Sequence, residues 1–162
     1  ISISLRDKLR IKNKLELKLL NYNRFNPEHK NLKYKFILKN LSKVDNTKFD
    51  IALCSKEKIL ETGTSNIIFV KNNKYFSPMK KFYRGVNLKF FEKHFKITKT
   101  NIDKNNLRQY EEILLIGSGK GVSTVASIKE KNWKRKNYKS FEIFKKKYKT
   151  IITNQRNLDN YL

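Results

Sequence analysis

Two short apolar runs constrain this chain more than anything else in it. Ile67-Ile68-Phe69-Val70 and Ile113-Leu114-Leu115-Ile116 each read as a strand buried on both faces, and neither approaches the length of a membrane span. Phe49 to Leu53 is a third compact apolar run, and Thr124 to Ile128 leans to strand. Lys71-Asn72-Asn73-Lys74 is a hairpin-like turn ahead of Tyr75-Phe76. Helical spacing appears in Phe36, Ile37, Leu38 and Leu41. It recurs in Val86, Phe90, Phe91 and Phe95 just after Gly85, more briefly in Leu107 and Tyr110, and from Tyr138 to Ile152 with many lysines. Ile1 to Leu5 and Lys14 to Leu20 alternate, and read as a strand pair closing an earlier domain; 21–28 is turn-rich. Strands and helices are interspersed, so the expected class is α/β (α+β), with a sheet whose ends carry loops.

Lys and Arg number 38 against 14 Asp and Glu, a formal charge of +24. Such an excess can be the footprint of a nucleic-acid binder. Here it is spread along the whole chain. Lys, Asn and Ile are abundant together while Ala, Gly and Pro are scarce, a bias that puts lysine on any solvated face. No zinc finger, RNA-recognition motif or helix-turn-helix accompanies the charge. Nucleic acid is therefore not an expected partner, and a non-catalytic basic nucleic-acid-binding domain stands as the alternative from another class. There is no signal-peptide pattern and no membrane-length apolar run. Cys54 is the only cysteine, which excludes an internal disulfide and fits a reducing, cytoplasmic setting. With His29 and His94 far apart, no metal site is expected.

Gly117-Ser118-Gly119-Lys120-Gly121 invites a phosphate-loop reading and fails it, since Gly121 follows Lys120 where Ser or Thr is required. A dinucleotide fingerprint needs glycine at 122, which is Val122. What survives is a glycine turn after a buried strand, able to aim backbone N–H groups at an anion. A hydrolase elbow fails at Gly63-Thr64-Ser65-Asn66, which lacks the flanking glycines. Glu111 and Glu112 are adjacent in a strand start and so point to opposite faces, which reads as a polar strand start rather than an acid/base dyad.

Four segments, in order and at close to the right spacing, resemble the fold-type IV pyridoxal-phosphate enzymes, the class IV aminotransferase family. They are His29-Lys30-Asn31, Glu61-Thr62-Gly63-Thr64-Ser65-Asn66-Ile67-Ile68-Phe69, Phe76-Ser77-Pro78 with Gly85-Val86-Asn87, and Ile116-Gly117-Ser118-Gly119-Lys120-Gly121-Val122. The Glu61–Phe69 segment, very like the family's E-G-x-x-S-N-I/L-F, is the most specific. The resemblance covers residues 25–150. It implies the family's large domain, a mixed sheet or barrel with flanking helices, over 25–162, with 1–24 as the end of a preceding small domain or a linker. Only 29 residues precede Lys30 and the chain opens on Ile1, so the chain is expected to be the C-terminal part of such an enzyme.

The resemblance also implies pyridoxal 5'-phosphate as cofactor and assigns roles. Lys30 is the Schiff-base lysine and the catalytic base, since a desolvated amine beside a cationic ring has a depressed pKa. Glu61 faces the pyridine nitrogen and keeps it protonated. Thr64, Val86, Asn87 and Ser118 complete the cofactor set, with Asn87 where the family usually has Thr. Gly119 and Lys120 fall on the side of the substrate carboxylate. His29-Lys30 and Lys120-Gly121 resemble aminodeoxychorismate lyases, which release pyruvate and leave 4-aminobenzoate, a step of folate biosynthesis. A branched-chain or D-amino-acid aminotransferase is the alternative. The expected partners are a small anionic substrate and a second copy of the chain in a homodimer.

Overall fold

The computed structural model describes residues 15–29 and 33–158. In chain order the strands and helices are β1 (Leu15–Asn21), α1 (Lys35–Leu41), β2 (Phe49–Ser55), β3 (Lys58–Thr62), β4 (Asn66–Lys71), β5 (Lys74–Pro78), α2 (Val86–His94), β6 (Ile97–Thr100), β7 (Ile102–Asp103), β8 (Glu112–Gly117), β9 (Gly121–Ile128), β10 (Trp133–Lys134) and α3 (Lys139–Leu158). The expected short helix at Leu107 is a single 3-10 turn. The strands form one mixed sheet in the order β6-β5-β4-β8-β9-β1-β2-β3-β7, with β10 on β9. β1 runs parallel to β2 and β9, and β5 parallel to β6; the other pairs are antiparallel.

The continuous apolar runs are explained by what covers each face. Along β4, Ile67 and Phe69 point into one core while Ile68 and Val70 point into another. In β8, Ile113 and Leu115 join the first core and Leu114 and Ile116 the second. Side chains alternate across a strand, so a strand with both faces covered reads as unbroken apolar sequence. The first core brings Leu15, Leu17, Ala52 and Val125 together with Ile67, Phe69 and Leu115. The second is roofed by α2 and α3 through Leu88, Phe91, Phe141 and Phe144. A third, smaller core is made by α1, whose Ile37 and Leu41 cover Ile51 and Leu53 of β2. Cys54 is buried in the first core, and burial pushes its thiol up to about 11, which makes it a packing group.

The alternation at Leu15, Leu17 and Leu19 does form a strand, but its place differs from the expected strand pair of an earlier domain. β1 lies inside the sheet between β2 and β9 because those leucines face the first core. Residues 1–14 lie outside the described residues. The 71–74 turn is as expected, with Asn72 and Asn73 at φ 51° and 56°, the left-handed conformation that asparagine tolerates in tight hairpins. No helix among the described residues is long and apolar enough to cross a membrane.

Candidate active site

A cleft of about 380 Å³ opens where β3 gives way to β4. Its walls come from the end of β3, the 63–65 link, the first turn of α2, the β8–β9 turn, α1, and Arg24. A second cleft of about 470 Å³ is lined by Lys56, Lys58, Lys80 and Lys81, among others. What separates the two is the chemistry of their walls. Among the described residues, Arg24 Nε, Glu61 Oε1 and Asn87 Nδ2 are buried polar atoms without a hydrogen-bond partner, and all three residues line the first cleft. None lines the second. A buried polar atom without a hydrogen bond is costly, so the Asn87 amide beside an Arg24–Glu61 ion pair with unused hydrogen-bonding capacity marks a site shaped for a polar ligand.

Glu61 is 4% exposed. Its Oε2 accepts the Tyr83 backbone N–H at 3.3 Å, and its Oε1 stands 3.2 Å from Arg24 Nη2 without an aligned hydrogen. Burial pushes the Glu61 carboxyl up to about 7, against the opposing pull of Arg24 and of the Tyr83 N–H. Arg24 is fixed in turn: Nη1 donates to the Tyr34 hydroxyl and Nη2 to the Pro27 carbonyl.

Asn66 explains why the signature ends as it does. Its Nδ2 donates to the Tyr83 carbonyl at 2.5 Å and its Oδ1 accepts the Gly85 N–H at 3.1 Å, so one side chain pins the loop that enters α2. A Cβ at Gly85 would stand 2.9 Å from that same Oδ1, which is why glycine is needed there. No side chain caps α2, and its first residues, Val86 and Asn87, border the cleft. The positive end of a helix and a buried amide donor are therefore both presented there.

The remaining expected residues divide. Ser118 lines the cleft, whereas Gly119 and Lys120 are not among its lining residues. Lys120 Nζ is 2.5 Å from Asp50 Oδ2, with its side chain 6% exposed. Thr64 lines the cleft, but its hydroxyl is engaged with Asp50 Oδ2 at 2.9 Å. Lys30 lies outside the described residues; Arg24 and Tyr34, which flank its segment in sequence, both line the cleft. Arg24, Tyr83 and Asp50 were missed by sequence reasoning. Arg24 carries no local mark in a chain with 38 Lys and Arg. Asp50 sits inside the apolar run from Phe49 to Leu53 and carries no mark of its own. Glu112, set aside as a catalytic dyad member, is 1% exposed and accepts the Ser140 and Phe141 N–H groups at the start of α3.

These walls fit pyridoxal phosphate. Glu61 offers an oxygen that accepts no hydrogen bond, suited to a protonated ring nitrogen, and Asn87 offers a donor lacking an acceptor, suited to a phosphate oxygen.

The amino-transferase class IV family model matches residues 5–128. No curated protein matches the chain. Among solved structures, a candidate 4-amino-4-deoxychorismate lyase from Legionella pneumophila superposes with a TM-score of 0.71 at 18% identity over 90% of this chain and 57% of that one. A branched-chain aminotransferase from Thermoproteus uzoniensis, solved with norvaline, gives 0.73 at 12% identity over 88% and 52%. The PLP-bound form of a hypothetical aminotransferase from Mycobacterium tuberculosis gives 0.69 at 15% identity over 88% and 56%. At these identities the likeness is one of fold, and the chain spans a little over half the length of each.

Proposed function

The chain belongs to the amino-transferase class IV family, and from that premise we propose that its first cleft holds pyridoxal 5'-phosphate in an enzyme acting at the amine-bearing carbon of a small anionic substrate. The observation that carries this is the pairing in one cleft of a buried carboxylate, on Glu61, whose Oε1 is ion-paired with Arg24 but accepts no hydrogen bond, with a buried amide lacking an acceptor, on Asn87. Glu61 would hold the ring nitrogen, while Asn87, Val86 and Ser118 would hold the phosphate. Pyridoxal phosphate, when bound, supplies an electron sink for the pair left behind as a carbon–hydrogen bond breaks. Burial raises the Glu61 carboxyl to about 7 against the pull of Arg24 and the Tyr83 N–H, and a cationic ring nitrogen facing it would add to that pull, so that the ionised carboxylate would keep a proton on the nitrogen. Asn66 keeps the Gly85 loop closed against the cleft wall. Lys30 is the proposed covalent anchor and the base that takes the proton from the amine-bearing carbon.

An aminodeoxychorismate lyase-like reaction, yielding 4-aminobenzoate and pyruvate, is the favoured chemistry, supported by the His29-Lys30 opening. A specific observation favours the aminotransferase as the second reading. Lys120, the cation that tilted the sequence toward an anionic lyase substrate, is paired with Asp50. We extend the proposal to a homodimer acting without nucleic acid.

The test is to load the full-length protein with pyridoxal phosphate, reduce with borohydride and map the labelled peptide. Label on Lys30, lost in Lys30→Ala, is expected, after which 4-aminobenzoate release is assayed against amino transfer to 2-oxoglutarate. Absence of a visible band and of label in the full-length protein overturns the reading. Gly117→Ala supplies an independent check on the cleft. Its Cβ would lie 2.7 Å from Ser65 Oγ and 3.0 Å from the Thr64 carbonyl oxygen, so the Ser65 hydroxyl must turn aside and the turn and the 63–65 link must part by a few tenths of an ångström. Overpacking of this kind costs enough to weaken cofactor affinity about tenfold, read by fluorescence titration.

A further inference from the structure

The strongest feature that the proposed chemistry does not use is a buried polar group at the mouth of the first core. Asp50 is 0% exposed and shares its face of β2 with Ala52 and Cys54, which lie in that core. Its Oδ1 accepts the Ile51 N–H at 2.7 Å. Its Oδ2 receives the Thr64 hydroxyl at 2.9 Å and Lys120 Nζ at 2.5 Å, and the Thr62 hydroxyl, whose one proton is shared between Asp50 Oδ2 at 3.1 Å and the Ser65 carbonyl at 3.2 Å. The Thr62 hydroxyl oxygen also accepts the backbone N–H groups of Thr64 at 3.2 Å and Ser65 at 2.8 Å.

Two cleft walls that are remote in sequence, the 63–65 link and the 117–121 turn, therefore meet on one carboxylate of a third strand. The β4–β8 ladder ends at the Asn66–Ile116 pair, one residue short of both segments. The close approach of Gly117 to Ser65 and Thr64 shows how little slack exists between them. A lysine with three directional donors, held by a carboxylate that is fixed by three other donors, is a rigid post.

We infer that Asp50 and Lys120 are positioning residues. The pair sets the height of the Gly117–Gly121 turn over the 63–65 link, and so the width of the cleft, and Lys120 does not itself bind the substrate anion. The inference rests on reading the cleft as a ligand site, and part of its test needs no ligand.

Amide hydrogen exchange is measured on the full-length protein and its Asp50→Asn, Lys120→Met and doubly substituted variants, first without cofactor. Both single variants are expected to speed exchange about tenfold in 63–66 and 117–121, with β4 and β8 unchanged in their centres. The double variant leaves no uncompensated buried charge and is expected to recover its thermal midpoint while both segments still exchange fast. Pyridoxal phosphate titrated into the same proteins is expected to bind about tenfold more weakly in all three. Recovery of slow exchange in the double variant, or loosening spread evenly across β4 and β8, overturns the positioning role. So does a gain of affinity for added 4-amino-4-deoxychorismate in Asp50→Asn set against a loss in Lys120→Met, which would make Lys120 a direct ligand. If wild type binds no pyridoxal phosphate, the cofactor reading fails, and the exchange results alone decide whether the post exists.

Discussion

Glu61→Gln in the full-length enzyme is expected to lower turnover on the order of 10²–10³-fold while the cofactor still binds. The amide keeps the shape and the acceptor for Tyr83 but cannot hold a proton on the atom it faces. Steady-state kinetics beside a cofactor titration measure this, and a loss confined to affinity would assign Glu61 to binding alone. The same residue sets a pH signature in the cofactor-free protein. Its folded-state value of about 7 lies above the ordinary 4.5. Burial thus favours the protonated carboxyl, and between these values the folded state binds more protons than the unfolded. Stability from this group is complete below about pH 4.5 and is lost as pH rises through about 7. The difference corresponds to about 3 kcal/mol. Urea unfolding from pH 4.5 to 8 should show that decline in wild type and lack it in Glu61→Gln.

How far the sequence discloses this molecule depends on the distance over which each feature is determined. Ile67–Val70 and Ile113–Ile116 are legible as strands because cover on both faces makes the whole run apolar. The alternation of Leu15, Leu17 and Leu19 is legible too. Its place is not, because parallel pairing with β2 and β9 depends on chain far away in sequence. β3, β6, β7 and β10 are short and carry mixed polarity, so no local period announces them. In the site, Glu61 and Asn66 stand at fixed offsets within one segment and can be recognised together. Arg24 is distinguished only by burial, which one sequence does not display. Lys120 shows the limit most clearly: a lysine in a glycine turn looks free to meet substrate, and where its amine points is decided by Asp50, seventy residues earlier.

The second large effect expected is at Glu112, outside the cleft. Its carboxylate is buried and accepts the N–H groups of Ser140 and Phe141 at 2.8 and 3.0 Å, two of the donors that a helix start leaves unpaired. Glu112→Ala strands both in a buried setting and removes a negative charge from the positive end of α3, at a cost of about 3 kcal/mol. Glu112→Gln retains one acceptor and should cost about 1 kcal/mol. Lys146→Ser, on the exposed face of the same helix, should stay within about 0.5 kcal/mol, because a solvated lysine contributes little to folding. Urea unfolding of the three variants checks this order. The consequence reaches the cleft. α3 carries Phe141 and Phe144 into the second core, where Phe144 stacks on Phe91 and Phe95. One turn further on, its Tyr148 lies where a Cβ on Gly121, at φ +64°, would come within 2.8 Å of the ring. The glycine turn is thus held from one side by Asp50 through Lys120 and backed from the other by α3. Glu112→Ala should therefore raise exchange in 117–121 as well as in α3 itself. An α3 that loosens while the turn stays protected would show that Asp50 alone holds it.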